Sequence, residues 1–233
     1  MHIKTPLTKE RIRNHFHYSS WKYAVMVALA IFGWNLIYTM TAYRAPQDKR
    51  IDLYVLTYSS TSEAIDAFIK PIWEAVVPEM EEVRGIAVVP DAQYGDQQIA
   101  TYLMAGDVDI FFLTESYFKI YASNGWLLPL EALVADGTIR AGDIDLTKGY
   151  VTVVEEAEVP ETGETLSATV QHLYGIPLDT FYGFMEGMNI DNRILYAVIP
   201  VNNRNDANVI PFFDGLLQAG RGEMPEWLLQ PQE

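Results

Sequence analysis

An uncharged apolar stretch near the N-terminus, Tyr23–Tyr43, constrains this chain more than any other part of its sequence. It contains no charged residue, and Asn35 is its only strongly polar side chain. About 21 helical residues span roughly 30 Å, which is the thickness of the hydrocarbon core of a bilayer. In lipid every backbone N–H and C=O group needs a partner within the segment, and a helix provides it. We therefore expect a transmembrane helix over 23–43; the alternative is a helix buried in a soluble core.

The flanks of this stretch bear on a second alternative, a cleaved signal peptide. Aromatic and basic residues stand at both ends, as in membrane-spanning helices: Trp21, Lys22, Tyr23, Tyr38, Tyr43 and Arg44. The apolar core of a signal peptide is only about 7–15 residues long. Because the stretch is longer, we expect an uncleaved single-pass anchor, with cleavage near Ala45 as the alternative.

Charge gives the expected orientation. Five basic residues precede the stretch against one acidic residue, Glu10: Lys4, Lys9, Arg11, Arg13 and Lys22. The positive-inside rule then puts the N-terminus in the cytoplasm. From Ile51 onward there are 29 acidic and 8 basic residues, a net charge of −21, whereas the whole chain carries −15. A domain this acidic suits the extracellular side of the cell membrane better than the anionic inner leaflet.

Composition and motifs exclude several classes of function. The chain has no cysteine, so disulfides and thiolate metal sites are excluded, and an exported bacterial domain fits this. An acidic domain argues against binding nucleic acid. No G-x-S-x-G, P-loop, G-x-G-x-x-G or H-E-x-x-H motif occurs, so we expect no enzyme, no catalytic residue, no metal and no cofactor.

The rest of the chain reads as strands that alternate with helices. Strands are expected over Ile51–Tyr58, Gly85–Pro90 and Val108–Leu113, and helices over 61–77, Tyr94–Ala105 and Glu115–Asn124. Thr61 or Ser60 is a good helix N-cap, and Pro71 is expected to bend or interrupt the first helix. Gly106 is expected to follow the end of the second helix as its C′ residue. Alternation of this kind predicts βαβ units and a parallel sheet. Residues 150–173 are expected to form a hairpin with its turn at Pro160–Gly163.

Several segments resemble extracellular solute-binding proteins of ABC importers, which have the type II periplasmic-binding fold. They are Met104–Leu113 (MAGDVDIFFL), Tyr121–Leu130 (YASNGWLLPL), Leu173–Leu178 (LYGIPL), Phe181–Phe184 and Ala197–Leu217. In the family, the third of these crosses between two lobes, the fourth belongs to a strand pair, and the last is a helix. The resemblance covers most of 51–217 and implies a three-layer α/β lobe, a small-molecule solute and an ABC permease as possible partners.

The chain departs from the family in length. Members are usually much longer and hold the solute between two lobes, whereas few residues separate Gly175 from Ile199, where the second lobe is normally inserted. We therefore expect one lobe, with weakened solute capture, because hinge closure normally buries most of a ligand. The expected parts are a basic cytoplasmic tail (1–22), the transmembrane helix (23–43), a linker (44–50), the α/β domain (51–220) and a C-terminal tail (221–233).

Any ligand site is expected where the strands end, because open α/β sheets bind ligands beyond the carboxyl ends of their strands. The resemblance implies the same loops. The candidate ligand-binding residues are Tyr58, Ser59, Ser60, Tyr94, Thr114, Glu115, Asp179 and Thr180, with Asp91–Gln93 beside them. The tyrosines could stack on a sugar, while Ser60 and Glu115 could form hydrogen bonds with it. The alternative is that the serines cap a helix and the tyrosines pack at the rim.

Three hypotheses for the function follow. The first is a membrane-anchored, solute-binding-like protein associated with an ABC importer, which a concave pocket lined by Tyr58, Tyr94 and Asp179 would favour. The second is a non-catalytic accessory protein that docks a membrane partner, which an exposed apolar patch would favour. The third is a hydrolase, which convergent carboxylates with raised pKa would favour. Small residues in the apolar stretch (Ala24, Ala28, Ala30 and Gly33) could also allow contact between helices.

Overall fold

The chain divides into two units, Met1–Arg44 and Ala45–Glu233. A computed structural model describes residues 8–42, 45–89, 94–158, 165–202 and 205–222. The described residues of the first unit form a single helix, α1 (Lys9–Thr41), which begins well before the expected transmembrane stretch.

Helix α1 exposes its apolar side chains. In the described part of the chain, one helix is long and apolar enough to cross a membrane, His17–Thr41, and none of it is buried. Large side chains such as Phe32, Trp34 and Ile37 are more than half exposed. The span differs in this respect from the core helix of a soluble protein, which is mostly buried. A helix of this composition near an N-terminus is either a membrane anchor or a signal sequence.

The second unit is a mixed α/β lobe. Its five-stranded sheet has the order β2-β1-β3-β7-β6, and a separate two-stranded sheet is formed by β4 and β5. The strands are β1 (Arg50–Leu56), β2 (Glu82–Val88), β3 (Ile110–Thr114), β4 (Tyr150–Glu158), β5 (Thr165–Leu173), β6 (Ile176–Pro177) and β7 (Leu195–Val198). The helices are α2 (Ser62–Val76), α3 (Gly95–Ala105), α4 (Glu115–Ser123), α5 (Glu131–Ala135), α6 (Tyr182–Met188) and α7 (Asp206–Gly220).

The expectation of a purely parallel sheet is wrong at its second half. Strand β1 runs parallel to β2 and β3, but β7 is antiparallel to both β3 and β6. The reason is the short helix α6. At its end, Met188 and Asn189 accept hydrogen bonds from Ser60 and Ser59, which follow the carboxyl end of β1. The chain therefore enters β7 from the edge at which β6 has just ended, so β7 must run in the opposite direction.

The expected three-layer arrangement is confirmed by the two central phenylalanines. Phe111 and Phe112 are fully buried neighbours on β3, and consecutive side chains of a strand point to opposite faces. Phe111 contacts Tyr54, whose ring also packs on Tyr102 of α3. Phe112 packs on Phe184 of α6 with ring centroids 5.2 Å apart. The sheet therefore lies between α3 on one face and α6 on the other, and α2 and α7 pack against α6.

Two local expectations need correction. Of the two effects expected of Pro71, interruption of α2 is wrong, because the helix continues to Val76. The carbonyl of Ala67 loses its helical partner at Pro71, but both residues are exposed, so water can replace the missing N–H. The segment Phe181–Phe184 enters the helix α6 instead of a strand, because Phe181 and Phe184 are both buried, three residues apart, on one face of a helical turn.

Other local expectations are confirmed. The side chain of Thr61 caps α2 by accepting a hydrogen bond from the backbone N–H of Ala64. Gly106 ends α3 with a φ of 65°, in the left-handed region that favours glycine. The hairpin is present, with Tyr150 opposite Leu173. Its expected turn, Pro160–Gly163, lies outside the described residues.

Close packing of β2 on α2 requires a glycine at position 85. A Cβ atom added to Gly85 would lie 2.2 Å from Cγ2 of Ile65. We expect Gly85→Ala to lower the free energy of unfolding by about 1–3 kcal/mol, since overpacking forces the buried neighbour to move. Urea unfolding of the full chain in mild detergent measures this.

The double variant Gly85→Ala/Ile65→Ala is the control for this clash. Because the second change removes Cγ2 of Ile65, the atom that lies nearest to the new methyl group, the double variant should lose at least about 0.5 kcal/mol less than the sum of the two single variants. Strict additivity would contradict the packing argument.

Candidate functional site

Several strands of the main sheet end on one side of the lobe. Strand β6 is parallel to β1 and β3 because β6 and β3 are both antiparallel to β7. The carboxyl ends of β1, β3 and β6 therefore meet the start of β7, where Thr114 lies opposite Leu195. We call this side the carboxyl edge; it consists of residues 57–60, 114–115, 178–180 and 193–195. It is the side at which the sequence predicted a ligand site.

The serines of the carboxyl edge bond to the lobe itself. The Ser59 hydroxyl donates to the Asn189 carbonyl at 2.8 Å, and the Asn189 side-chain amide donates back to the Ser59 carbonyl at 2.7 Å. The Ser60 hydroxyl donates to the carbonyl of Met188. Both serines thus fix the loop after β1 to the end of α6, which is a structural role.

Glu115 and Asp179 are brought together in one depression of about 430 Å³. Each forms an ion pair there, since Lys119 lies 2.5 Å from Glu115 and Lys148 lies 2.6 Å from Asp179. Arg193, also in the wall, pairs with Asp191 at 2.8 Å. The aromatic walls are Tyr150 and Tyr196. The depression is therefore lined by both signs of charge, already paired.

The pKa shifts in this depression reflect the ion pairs. The hydrogen bond from Lys119, and then its charge, lower the pKa of Glu115, and the same contact raises the pKa of Lys119. The hydrogen bond to Asp179 raises the pKa of Lys148. Burial, and then the charge of Glu115, raise the pKa of Tyr196. All of these groups therefore keep their ordinary charge at neutral pH, and the walls offer charged hydrogen-bonding groups without a group poised to transfer a proton.

The two candidate tyrosines lie apart from this depression and do not line it. Tyr58 is 77% exposed and Tyr94 is 56% exposed. Val89, which follows β2, is 55% exposed, and Thr57 donates its backbone N–H to the carbonyl of the neighbouring Val88. Exposed apolar side chains thus follow the ends of both β1 and β2, as the docking hypothesis requires.

The remaining candidates are dispersed. The Thr114 hydroxyl lies 3.2 Å from that of Ser116, within hydrogen-bonding distance. Thr180 lines a different depression, of about 250 Å³, with Asp143, Phe181 and Arg221. Residues 91–93 lie outside the described part of the chain. The structure therefore joins Glu115 with Asp179 and leaves the other candidates in separate surroundings.

The sequence interpretation missed the basic and aromatic walls. Lys119 could have been found, because it lies four residues after Glu115 on one helix face, where opposite charges pair. Lys148, Tyr150 and Arg193 carried no such signal, since they come from a turn before β4, from β4 itself and from a turn before β7. Only the folded sheet brings them together.

The hydrolase hypothesis finds little support among the described residues. Every carboxyl group with a resolved pKa shift has it lowered: Glu63, Glu115, Glu131, Asp136, Asp145 and Asp191. Among the same described residues, no three histidine, aspartate or glutamate side chains form a cluster that could hold a metal ion. None of these six carboxyl groups thus has the raised pKa that this hypothesis predicts.

The β4–β5 hairpin is fixed at its base to the rest of the lobe. The Glu131 carboxylate of α5 forms a hydrogen bond with the His172 ring. It also accepts a hydrogen bond from the backbone N–H of Leu173, at 3.3 Å. Burial raises the pKa of Glu131, but these hydrogen bonds outweigh burial and lower it. Farther along β4, Val154 is 65% exposed.

Comparison with known proteins gives a likeness of fold. No protein-family model matches the sequence, and no curated protein matches it significantly. Among solved structures, an extracellular solute-binding protein family 1 from Alicyclobacillus acidocaldarius is 23% identical, with a TM-score of 0.38 over 55% of this chain and 27% of that chain. An ABC transporter solute-binding protein from Agrobacterium vitis S4, with bound D-mannitol, is 17% identical, with a TM-score of 0.36 over 55% and 27%. An N-glycan transport solute-binding protein from Streptococcus pneumoniae is 17% identical, with a TM-score of 0.31 over 55% and 24%.

The likeness to these solute-binding proteins covers about half of this chain. The match spans about a quarter of the length of these neighbours.

The Ser60 contact distinguishes a structural role from a ligand-binding role. We expect Ser60→Ala to destabilise the lobe by about 1 kcal/mol, because the hydrogen bond to Met188 is lost. The midpoint of thermal unfolding should fall by roughly 2–4 °C. Ser116→Ala, which removes a hydroxyl at the exposed surface, is the matched control and should stay within about 0.5 kcal/mol of the unaltered chain. Equal stability of the two variants would contradict the structural role of Ser60.

Proposed function

We propose that this chain is a membrane-anchored, extracytoplasmic solute-binding-like protein that works beside an ABC importer permease and binds solute weakly. The observation that carries the proposal is the depression of about 430 Å³ at the carboxyl edge. It lies where α/β sheets bind ligands. The sequence resemblance to importer-associated solute-binding proteins gives the reason for naming a solute and a permease.

The chemistry of the depression favours a neutral, hydroxyl-rich solute. Lys119 and Lys148 are each paired with a carboxylate, so a charged solute would have to break an ion pair to bind. A hydroxyl group can instead donate to a paired carboxylate and accept from a paired ammonium group. Tyr150, 44% exposed, offers an apolar ring face against which such a molecule can pack. Catalysis has no part in this proposal.

Weak binding follows from the openness of the site. Pockets for small molecules normally bury most of the ligand surface, and two-lobed binders achieve this by closing a hinge. The described residues form one lobe, which can cover a solute from one side. A bound solute would therefore keep much of its surface in water. Tyr58, Ser59, Ser60, Tyr94, Thr114 and Thr180 stay candidates for contacts that a partner would complete.

Anchoring rests on α1. Its exposed apolar surface needs lipid around it, and its span is long enough for the hydrocarbon core. We place the N-terminus in the cytoplasm and the acidic lobe outside, because the basic residues precede the span.

A second candidate function is docking of a membrane partner without a solute. The exposed residues Tyr58, Val89 and Tyr94 favour it, because they present apolar surface at the ends of β1 and β2. In this case the chain is an accessory protein of the membrane, and the depression is incidental.

Labelling of single cysteines tests the anchoring and its orientation. The chain has no cysteine, so Glu79→Cys in the lobe and Asn14→Cys before the span each introduce one reactive site. A membrane-impermeant maleimide should label Glu79→Cys in intact cells and Asn14→Cys only after permeabilisation. The reversed pattern would contradict the orientation, and release of the unaltered chain by alkaline carbonate would contradict the anchor.

A thermal-shift screen of the full chain tests weak capture. A solute present at its Kd stabilises the folded state by RT ln 2, about 0.4 kcal/mol, which moves Tm by roughly 1–2 °C. We expect sugars and polyols at about 1 mM to give no more than this, and peptides and polyamines to give less.

Tyr150→Ala should remove whatever shift a sugar gives, whereas Val154→Ala, an exposed change on the same strand, should leave it. A shift of many degrees would contradict weak capture. A shift that survives Tyr150→Ala would place the solute outside the depression.

A further inference from the structure

The polar side chains of the α1 span differ in whether they have a hydrogen-bond partner within the helix. The Thr39 hydroxyl donates to the Asn35 carbonyl at 2.8 Å, and the Thr41 hydroxyl donates to the Ile37 carbonyl at 2.7 Å. Such bonds to the preceding turn allow hydroxyl groups to lie in lipid. The side-chain amide of Asn35 has no hydrogen bond to any other residue in the described part of the chain.

Asn35 also lies deep in the span. It is two residues from the middle of the uncharged stretch 23–43, which corresponds to about 3 Å along a helix axis. An asparagine side chain is too short to reach the headgroups from that depth. An amide without a partner in hydrocarbon is costly, so a group outside this helix has to supply its hydrogen bonds.

The helix surface around Asn35 is suited to close approach by another helix. With 3.6 residues per turn, Ala24, Ala28, Ile31, Asn35 and Thr39 lie along one side of α1. We call this side the Asn35 face. Four of its five members are small or polar, which lets two backbones come close enough for hydrogen bonds between side chains.

The opposite side of α1 is bulky and carries Met26, Leu29, Leu36, Ile37 and Met40, each at least half exposed. Of the small residues that stood out in the sequence, Ala30 and Gly33 lie toward this side and not on the Asn35 face. The face is therefore defined by Asn35, and the small residues only permit the approach.

We propose that two copies of this chain associate in the membrane through the Asn35 faces of their α1 helices, with the two Asn35 amides hydrogen-bonded to each other. This proposal rests on the membrane anchoring proposed above. A second copy fits better than an unrelated helix because an amide carries both a donor and an acceptor and is complementary to itself. Two copies inserted in the same direction also place both Asn35 side chains at the same depth. A different helix would need a polar residue that happens to lie at that depth.

Disulfide trapping in vesicles tests the association. The full chain, which has no native cysteine, is reconstituted in phosphatidylcholine vesicles with Ala28→Cys on the Asn35 face or Met26→Cys on the opposite side. Under mild oxidation, Ala28→Cys should give covalent dimers and Met26→Cys should give few. Adding Asn35→Leu to Ala28→Cys should weaken dimerisation by about threefold to thirtyfold, the range that hydrogen bonds between polar side chains contribute between membrane helices.

Adding Asn35→Gln, which keeps an amide, should retain most of the dimer and separates the hydrogen bond from a change of shape. Equal trapping at the two positions, or trapping that Asn35→Leu does not change, would overturn the proposal. Alkaline carbonate extraction of the same vesicles distinguishes failure of the association from failure of the anchor. Chains that stay in the membrane without trapping contradict only the association, whereas chains that are released contradict the anchor on which it rests.

Discussion

The exposed apolar surface of α1 needs apolar surroundings, and the helix alone does not provide them. The span His17–Thr41 is unburied along its length, while its backbone groups are satisfied within the helix, so lipid is the surrounding that suits it. The proposed location, the orientation and the meaning of the acidic lobe all follow from this one requirement. So does the association through Asn35, because an amide is costly only where water is absent. The lobe by itself would be compatible with any aqueous compartment.

Within the lobe, the formation of the depression depends on the direction of β7. Because β7 runs antiparallel between β3 and β6, the end of β6 and the start of β7 reach the same edge as the end of β3. This brings Asp179 and Arg193 beside Glu115, and the turn before β4 adds Lys148. The depression is therefore made by a reversal of the chain, and the charged side chains that line it already form ion pairs. The hairpin β4–β5 leaves the lobe from the same region, fixed at its base by Glu131.

Local chemistry made much of this fold predictable from the sequence. The cap at Thr61, the left-handed glycine at 106 and the hairpin follow from side-chain and turn preferences of a few neighbouring residues. The direction of β7 could not be predicted in this way. It depends on a hydrogen bond between Ser60 and Met188, which are far apart in the sequence. For the same reason, Glu115 and Asp179 were named as candidates, whereas Lys148 and Arg193, which line the same depression, were not. Strand ends indicate where a site is expected, while the side chains around it are brought there by long-range contacts.

Hydrogen exchange of backbone amides, measured by mass spectrometry on the full chain in vesicles, tests the central claim most directly. If lipid surrounds the span, amides within 23–41 should exchange more slowly than those within 9–16, although both segments belong to the same continuous helix. Dissolving the vesicles in a mild denaturing solvent should remove the difference. Equal and rapid exchange along the whole of α1 in vesicles would show that water reaches the span, and it would contradict the anchor.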